Sequence, residues 1–213
     1  MQISVIIPTH QRPAKLAACL RALAAQTLDG REYEVLVGFD GGDAHGTRAA
    51  ADAWKGALEA QNPGAGGGAL QLIEVPRCGI TNVRNHLLAR ASGRVMLSTN
   101  DDVIPDPRLL EAHAREHEAA SGRGTPVIVS GSSPWVVHQP DRLFDRLVRE
   151  TSMVFFHDRM IAAQAEPMRD WGYRHAWGLN MSAPMDLVRE VGGFTVFPAW
   201  YGYEDNELSL IHI

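Results

Sequence analysis

The sequence predicts a single α/β domain in which a mostly parallel sheet carries helices on both faces. Three observations lead there. Short β-branched runs alternate with amphipathic helical stretches from the first residues onward. Polar turns, several of them glycine-containing, follow those runs. A length of 213 residues with 45% hydrophobic content suffices for one sizeable core.

Residues 3–7 form the first β-branched run, ended by Pro8. Leu16, Cys19, Leu20 and Leu23 then recur at helical spacing behind Pro13, a residue suited to the first helical position. Residues 33–39 repeat the pattern as a second strand stopped by Asp40-Gly41-Gly42, and an alanine-rich helix is expected over 47–60. The glycine-rich stretch 62–68 reads as a surface connection and fits neither the dinucleotide fingerprint nor the P-loop. A third strand follows at 70–75. Residues 81–91 predict a helix with Val83, Leu87 and Leu88 inward, stopped by Ser92-Gly93, and 95–99 a buried strand ending at Asn100-Asp101-Asp102. A helix from beyond Pro107 to about Ala120 and a strand at 127–130 continue the alternation. Residues 135–174 break it with aromatic, methionine-rich sequence, where substrate-specific structure is expected.

Twenty basic against 25 acidic residues give a net charge of −5, which excludes a nonspecific nucleic-acid binder. No apolar run approaches the roughly 18 residues needed to span a bilayer, and the N-terminal apolar stretch is too short for a secretory signal, so a cytoplasmic chain is expected. Cys19 and Cys78 supply neither a disulfide framework nor zinc-site spacing, in keeping with a reducing compartment.

In open parallel sheets, ligands bind beyond the carboxyl ends of the strands, where helix N-termini and loops converge. Four polar clusters fall there: residues 8–12, 40–42, 77–84 and 100–102. An acidic run after a strand can hold a hard divalent cation such as Mg2+ or Mn2+, and Asp102 is the ligand candidate; the same letters also suit a solvated turn before Pro105. Asp40 can accept a hydrogen bond from a base or sugar, or simply make a turn. Arg84 suits a phosphate clamp or a surface cation. Residues 200–205, WYGYED, place two carboxylates behind an aromatic wall, a pattern fit for general-base chemistry on a sugar hydroxyl and equally for a helix start.

Taken together, ISVIIPTHQR, VGFDGG, GITNVRNHLLARASG, STNDDVIPDP, GLNMSAP, VGGF and GYEDNEL, in that order over residues 3–208, resemble the family 2 glycosyltransferases, nucleotide-sugar-dependent enzymes of the GT-A fold. The resemblance implies a Rossmann-like, mostly parallel sheet and an inverting hexosyltransferase of cell-wall or polysaccharide biosynthesis. It implies a catalytic domain over 1–207, with a nucleotide-sugar half of about 1–107 and an acceptor half of about 108–207. By it, Pro8, Thr9 and Arg12 lie near the nucleotide, Asp40 at its base and Arg84 near ribose or diphosphate. Asn100, Asp101 and Asp102 stand at the acidic DxD-like motif, with Mn2+ or Mg2+ leaning on Asp102 because Asn100 adds no charge. Asp205 is the implied base with Glu204 beside it, and Trp200, Tyr203 and Glu204 line the acceptor site. The donor is expected to be UDP-linked. The acceptor is a glycan, a lipid-linked sugar or a small molecule, and peripheral association with the cytosolic face of the membrane is compatible with this.

Two other readings start from particular residues. His113-Ala114-Arg115-Glu116-His117 matches the HxxEH motif of inverted zinc peptidases, and its charged neighbours also suit a polar, solvent-facing helix. Asn100, in place of a first aspartate, suits a relative that binds nucleotide-sugar or glycan without turnover. Residues 208–213, LSLIHI, equal the translation of a transposon-end sequencing adapter and are expected to be a non-native or truncated end.

Overall fold

The computed structural model describes residues 2–42, 46–61, 70–137, 139–151, 160, 162, 171–197 and 203–212. Its strands are β1 (Ile3–Thr9), β2 (Tyr33–Asp40), β3 (Leu70–Val75), β4 (Val95–Thr99), β5 (Val129–Ser130) and β6 (Asn180–Pro184). Its helices are α1 (Pro13–Leu23), α2 (Thr47–Gln61), α3 (Ile80–Leu88), α4 (Leu109–Gly122), α5 (Leu143–Glu150), α6 (Met185–Glu190) and α7 (Glu204–Leu208).

Period-two alternation builds a core on each face of the sheet. Ile3, Val5 and Ile7 of β1 pack with Leu16, Cys19, Leu20 and Leu23 of α1, while Ile6 packs with Val83 and Leu87 of α3 on the opposite face. Gly38 lets α3 lie directly on β2, because a Cβ there would stand 2.4 Å from Val83 Cγ1. At the amino edge, buried Glu34 accepts from Ser4 Oγ at 2.6 Å, Ser92 N at 2.6 Å and Gln71 Nε2 at 3.0 Å, tying three strands to the turn before β4.

The sheet order is β3-β2-β1-β4-β6-β5. Strands β1 to β4 run parallel, β6 runs antiparallel to β4 with Asn180 opposite Thr99, and β5 runs antiparallel to β6. Connections leave β1 in both directions, so a crevice opens at the carboxyl ends of β1 and β4. Because β6 is antiparallel, its beginning comes to that same edge. The sequence marks no strand there, since Asn180-Met181-Ser182-Ala183-Pro184 has no β-branched alternation. The strand expected at 127–130 is reduced to two residues.

Helix α4 overturns both readings of the HxxEH motif. Leu110, His113, His117 and Ala120 form its buried stripe, and His113 and His117 are only 3% and 7% exposed. The charged neighbours Arg115 and Glu118 lie on the outer side. Asn180 Nδ2 donates to the Ser132 carbonyl at 3.2 Å, which leaves Asn180 Oδ1 to accept from His113 Nε2 at 3.0 Å. His113 Nδ1 then accepts from Ser182 Oγ at 2.7 Å, and that hydroxyl accepts from His117 Nε2 at 2.7 Å. Both rings are neutral links in a chain that holds β6, and among the described residues no group of three His, Cys, Asp or Glu side chains is placed to hold a metal ion.

Burial pushes both histidines down to about 4. The unfolded chain therefore takes up these protons first, near pH 6.5, and stability falls as the pH drops from there towards 4, by about 1.4 kcal/mol for each unit by which folded and unfolded values differ. Urea midpoints measured across that window should show the loss in the parent chain and a smaller loss in His117→Gln. An identical pH slope in the two would contradict the neutral chain.

Candidate active site

Three groups of polar contacts stand along the carboxyl edge. The first joins β1 to the turn after β4: Thr9 Oγ1 donates to Asp101 Oδ2 at 2.7 Å. Arg12, capping α1, bridges Asp101 Oδ1 at 3.2 Å and Asp102 Oδ2 at 3.3 Å, and Lys15 Nζ lies 3.6 Å from Asp102. Burial raises the Asp101 pKa, opposed by the Thr9 hydroxyl and the Arg12 charge. Asp102 is the open member of the run.

The second group is centred on Asp40 at the end of β2. Its Oδ1 accepts from the backbone of Cys78 at 2.7 Å and Gly79 at 3.2 Å, and Arg77 Nε lies 3.4 Å from Oδ2. Asp40 thus fastens the β3–α3 turn. His10 Nδ1 donates to the Asp40 carbonyl at 2.7 Å, with the Arg77 guanidinium against its ring.

The third group is built on Arg84, which differs from the open phosphate clamp suggested by its sequence position. It lies in the middle of α3 and is 3% exposed. Nη1 pairs with Glu204 Oε1 at 3.0 Å, and Nη2 donates to Asn100 Oδ1 at 3.1 Å and to the Gly178 carbonyl at 3.4 Å. The Phe194 ring lies 5.4 Å away, and Phe194 is held by Asn85 through its N–H at 2.9 Å and its carbonyl at 2.7 Å. Since a guanidinium only donates, the amide oxygen of Asn100 faces Arg84 and its NH2 is the group left for a ligand.

Asp205 stands beside this bridge. Its Oδ2 accepts from Gly178 N at 2.7 Å and its Oδ1 from Asn206 N at 2.8 Å. Gly178 and Leu179 are in turn fixed to β4 through Ser98 Oγ at 2.7 Å and Thr99 Oγ1 at 2.9 Å. Glu204 and Asp205, adjacent in sequence, therefore have different surroundings: one is spent on a buried arginine, the other is half-buried and oriented by two backbone donors. Tyr203 precedes them at φ 71° and is 72% exposed. Pro8 is buried within β1 opposite Gly38. Trp200 lies outside the described residues. His10, Lys15, Arg77, Asn85 and Gly178 join the site without having been assigned roles from sequence; for Lys15 the signal was its place three residues after Arg12 in the first turn of a helix.

The family described as Glycosyl transferase family 2 matches residues 4–170. This chain belongs to that family. It is 29% identical over 126 residues to the glycosyltransferase AglE of Haloferax volcanii, an alignment covering 59% of this chain and 38% of AglE. Among solved structures, residues 1–349 of S. aureus TarS superpose with a TM-score of 0.67 at 15% identity, covering 100% of this chain and 55% of that one. The mannosyltransferase PcManGT from Pyrobaculum calidifontis, in complex with GDP-Man and Mn2+, gives 0.62 at 21% identity over 97% and 50%. The expected GT-A architecture is therefore present. This family 2 glycosyltransferase spans between about two-fifths and just over half the length of these relatives.

Replacing Thr9 by valine keeps the shape of the β1 end but leaves buried Asp101 short of a hydroxyl donor. Urea unfolding at pH 7 should show a loss of about 1–3 kcal/mol. An unchanged midpoint would mean that the Thr9–Asp101 bond contributes nothing.

Proposed function

We propose that this enzyme transfers a hexose, with inversion, from a nucleoside-diphosphate sugar to an acceptor hydroxyl, with Asp205 as the general base. One observation carries the reading: Asp205 is oriented by the backbone of Gly178 and Asn206 at the same sheet edge that gathers Thr9, Arg12, Asp40, Asp101 and Asp102. The acceptor proton passes to the Asp205 carboxylate as the acceptor oxygen bonds to the anomeric carbon. The bond from that carbon to the diphosphate breaks with its electron pair going to the diphosphate oxygen, and one displacement inverts the centre. Arg12 and Lys15 are the cations paired with the carboxylates of Asp101 and Asp102 and would balance charge on the leaving group.

Glu204, spent on Arg84, is a positioning residue in this scheme, as is Arg84 itself. Asn100 offers its NH2 to ribose, Asp40 and Arg77 flank the base, and the Tyr203 ring walls the acceptor side. Asp102, with an open carboxylate of hard oxygens beside that of Asp101, fits Mn2+ or Mg2+ in the manner in which such ions share positions with phosphate and water. When bound, such a cation would stabilise the charge developing on the diphosphate.

The neighbours support a nucleotide-sugar donor without choosing it, since TarS is known with UDP-GlcNAc and PcManGT with GDP-Man. UDP is the first candidate. The acceptor in this proposal is a glycan, lipid-linked or small-molecule hydroxyl of polysaccharide or cell-wall synthesis, met in the cytoplasm or at the membrane surface. Among the described residues no helix is long and apolar enough to cross a membrane.

Asp205→Asn should lower transfer about 10²–10⁴-fold while leaving donor binding within a few-fold. Released nucleoside diphosphate and calorimetric donor binding measure the two effects separately. Undiminished transfer would remove Asp205 from the base role.

A further inference from the structure

We propose that Arg12 is a resident counter-cation that exchanges partners on donor binding: it neutralises Asp101 and Asp102 in the empty cleft and passes to the diphosphate when a divalent cation takes those carboxylates. The inference rests on the glycosyl-transfer reading and adds to it a mechanism for coupling metal and nucleotide.

Charge balance is the first argument. Asp101 and Asp102 face Arg12 and Lys15, two negative against two positive groups, and Asn100 adds none. Either ligand arriving alone thus meets a neutralised site. A divalent cation must displace the guanidinium, and a diphosphate must draw it away from carboxylates.

Helix electrostatics is the second. Arg12 caps α1, and Lys15 lies in its first turn with no acidic residue there, so both cations sit at the positive end of an 11-residue helix, where cations are disfavoured. The carboxylates across the cleft offset that arrangement. Once a divalent cation satisfies them, the helix end, Arg12 and Lys15 form an uncompensated positive surface suited to a diphosphate.

The strength of the pairs is the third. The Arg12 and Lys15 side chains are 52% and 60% exposed, and their contacts to the open Asp102 lie at 3.3 and 3.6 Å, the range of exchangeable surface pairs, while the Arg12 contact to buried Asp101 is a single one at 3.2 Å. Asp101 meanwhile keeps Thr9 Oγ1 at 2.7 Å, so the turn retains its shape when the guanidinium leaves.

The test is binding, read without turnover. Mn2+ affinity of the full chain is measured by electron paramagnetic resonance with and without saturating UDP or GDP, after subtracting the Mn2+–nucleotide complex formed in solution. Nucleotide affinity is measured by calorimetry with and without Mn2+. In the parent chain each ligand should tighten the other by the same factor, about tenfold or more. Arg12→Met should bind Mn2+ alone several-fold more tightly, bind UDP alone more weakly and show a smaller coupling factor. Lys15→Met should move Mn2+ affinity in the same direction by less, and it carries the test if Arg12→Met melts early. A parent chain that binds neither UDP nor GDP would overturn the glycosyl-transfer reading itself. A nucleotide-binding parent whose Mn2+ affinity is unchanged or weakened by both substitutions would overturn the exchange alone.

Discussion

A buried ion pair between residues 120 positions apart, Arg84 of α3 and Glu204 of α7, is the constraint on which the rest of the edge depends. Two charges removed from water are costly unless their remaining hydrogen-bonding capacity is met, and removing one partner leaves the other charge exposed to a low-dielectric interior. Here Asn100 and the Gly178 carbonyl accept from Nη2, and the Phe194 ring lies against the guanidinium. The acidic turn, the loop entering β6 and the helix that carries Asp205 consequently share one cation. Asp205 stays beside the carboxyl edge because its neighbour Glu204 is anchored.

Strand β6 is the other half of that arrangement. Its antiparallel direction brings Gly178 and Asn180 to the carboxyl edge, so the C-terminal third of the chain reaches the crevice of a sheet whose first four strands already open there. Side chains that look functional in isolation serve its placement: His113 and His117 hold Ser182 and Asn180 from α4. Glu34, at the opposite edge, ties strand starts with neutral donors. The polar contacts of Asp40, Asp101 and Asp205 therefore gather at one end of the sheet, and those of His113, His117 and Glu34 at its middle and its other end.

Much of this was legible in sequence where local physics decides. Alternating β-branched runs and helical stripes gave β1 to β4 and α1 to α4, and the rule that ligands bind beyond strand ends located Thr9, Asp40 and Asp101. Pairing was not legible. Spacing says nothing of which carboxylate Arg84 meets 120 residues away, or that Asn100 turns its oxygen inward. Strand β6 was hidden because its burial comes from neighbours on both sides and not from β-branched residues. The HxxEH helix was misjudged on the charge of adjacent letters, although its period, through Leu110 and Ala120, already assigned both histidines to the inner stripe.

Whether Arg84 and Glu204 act as one unit is measured most directly by a double-mutant cycle in urea. Arg84→Met and Glu204→Met should each cost about 3–5 kcal/mol, with the double variant far less destabilised than their sum, because no uncompensated charge then remains. Single effects that add to within about 0.5 kcal/mol would contradict it, showing two side chains that lie close together without holding the site.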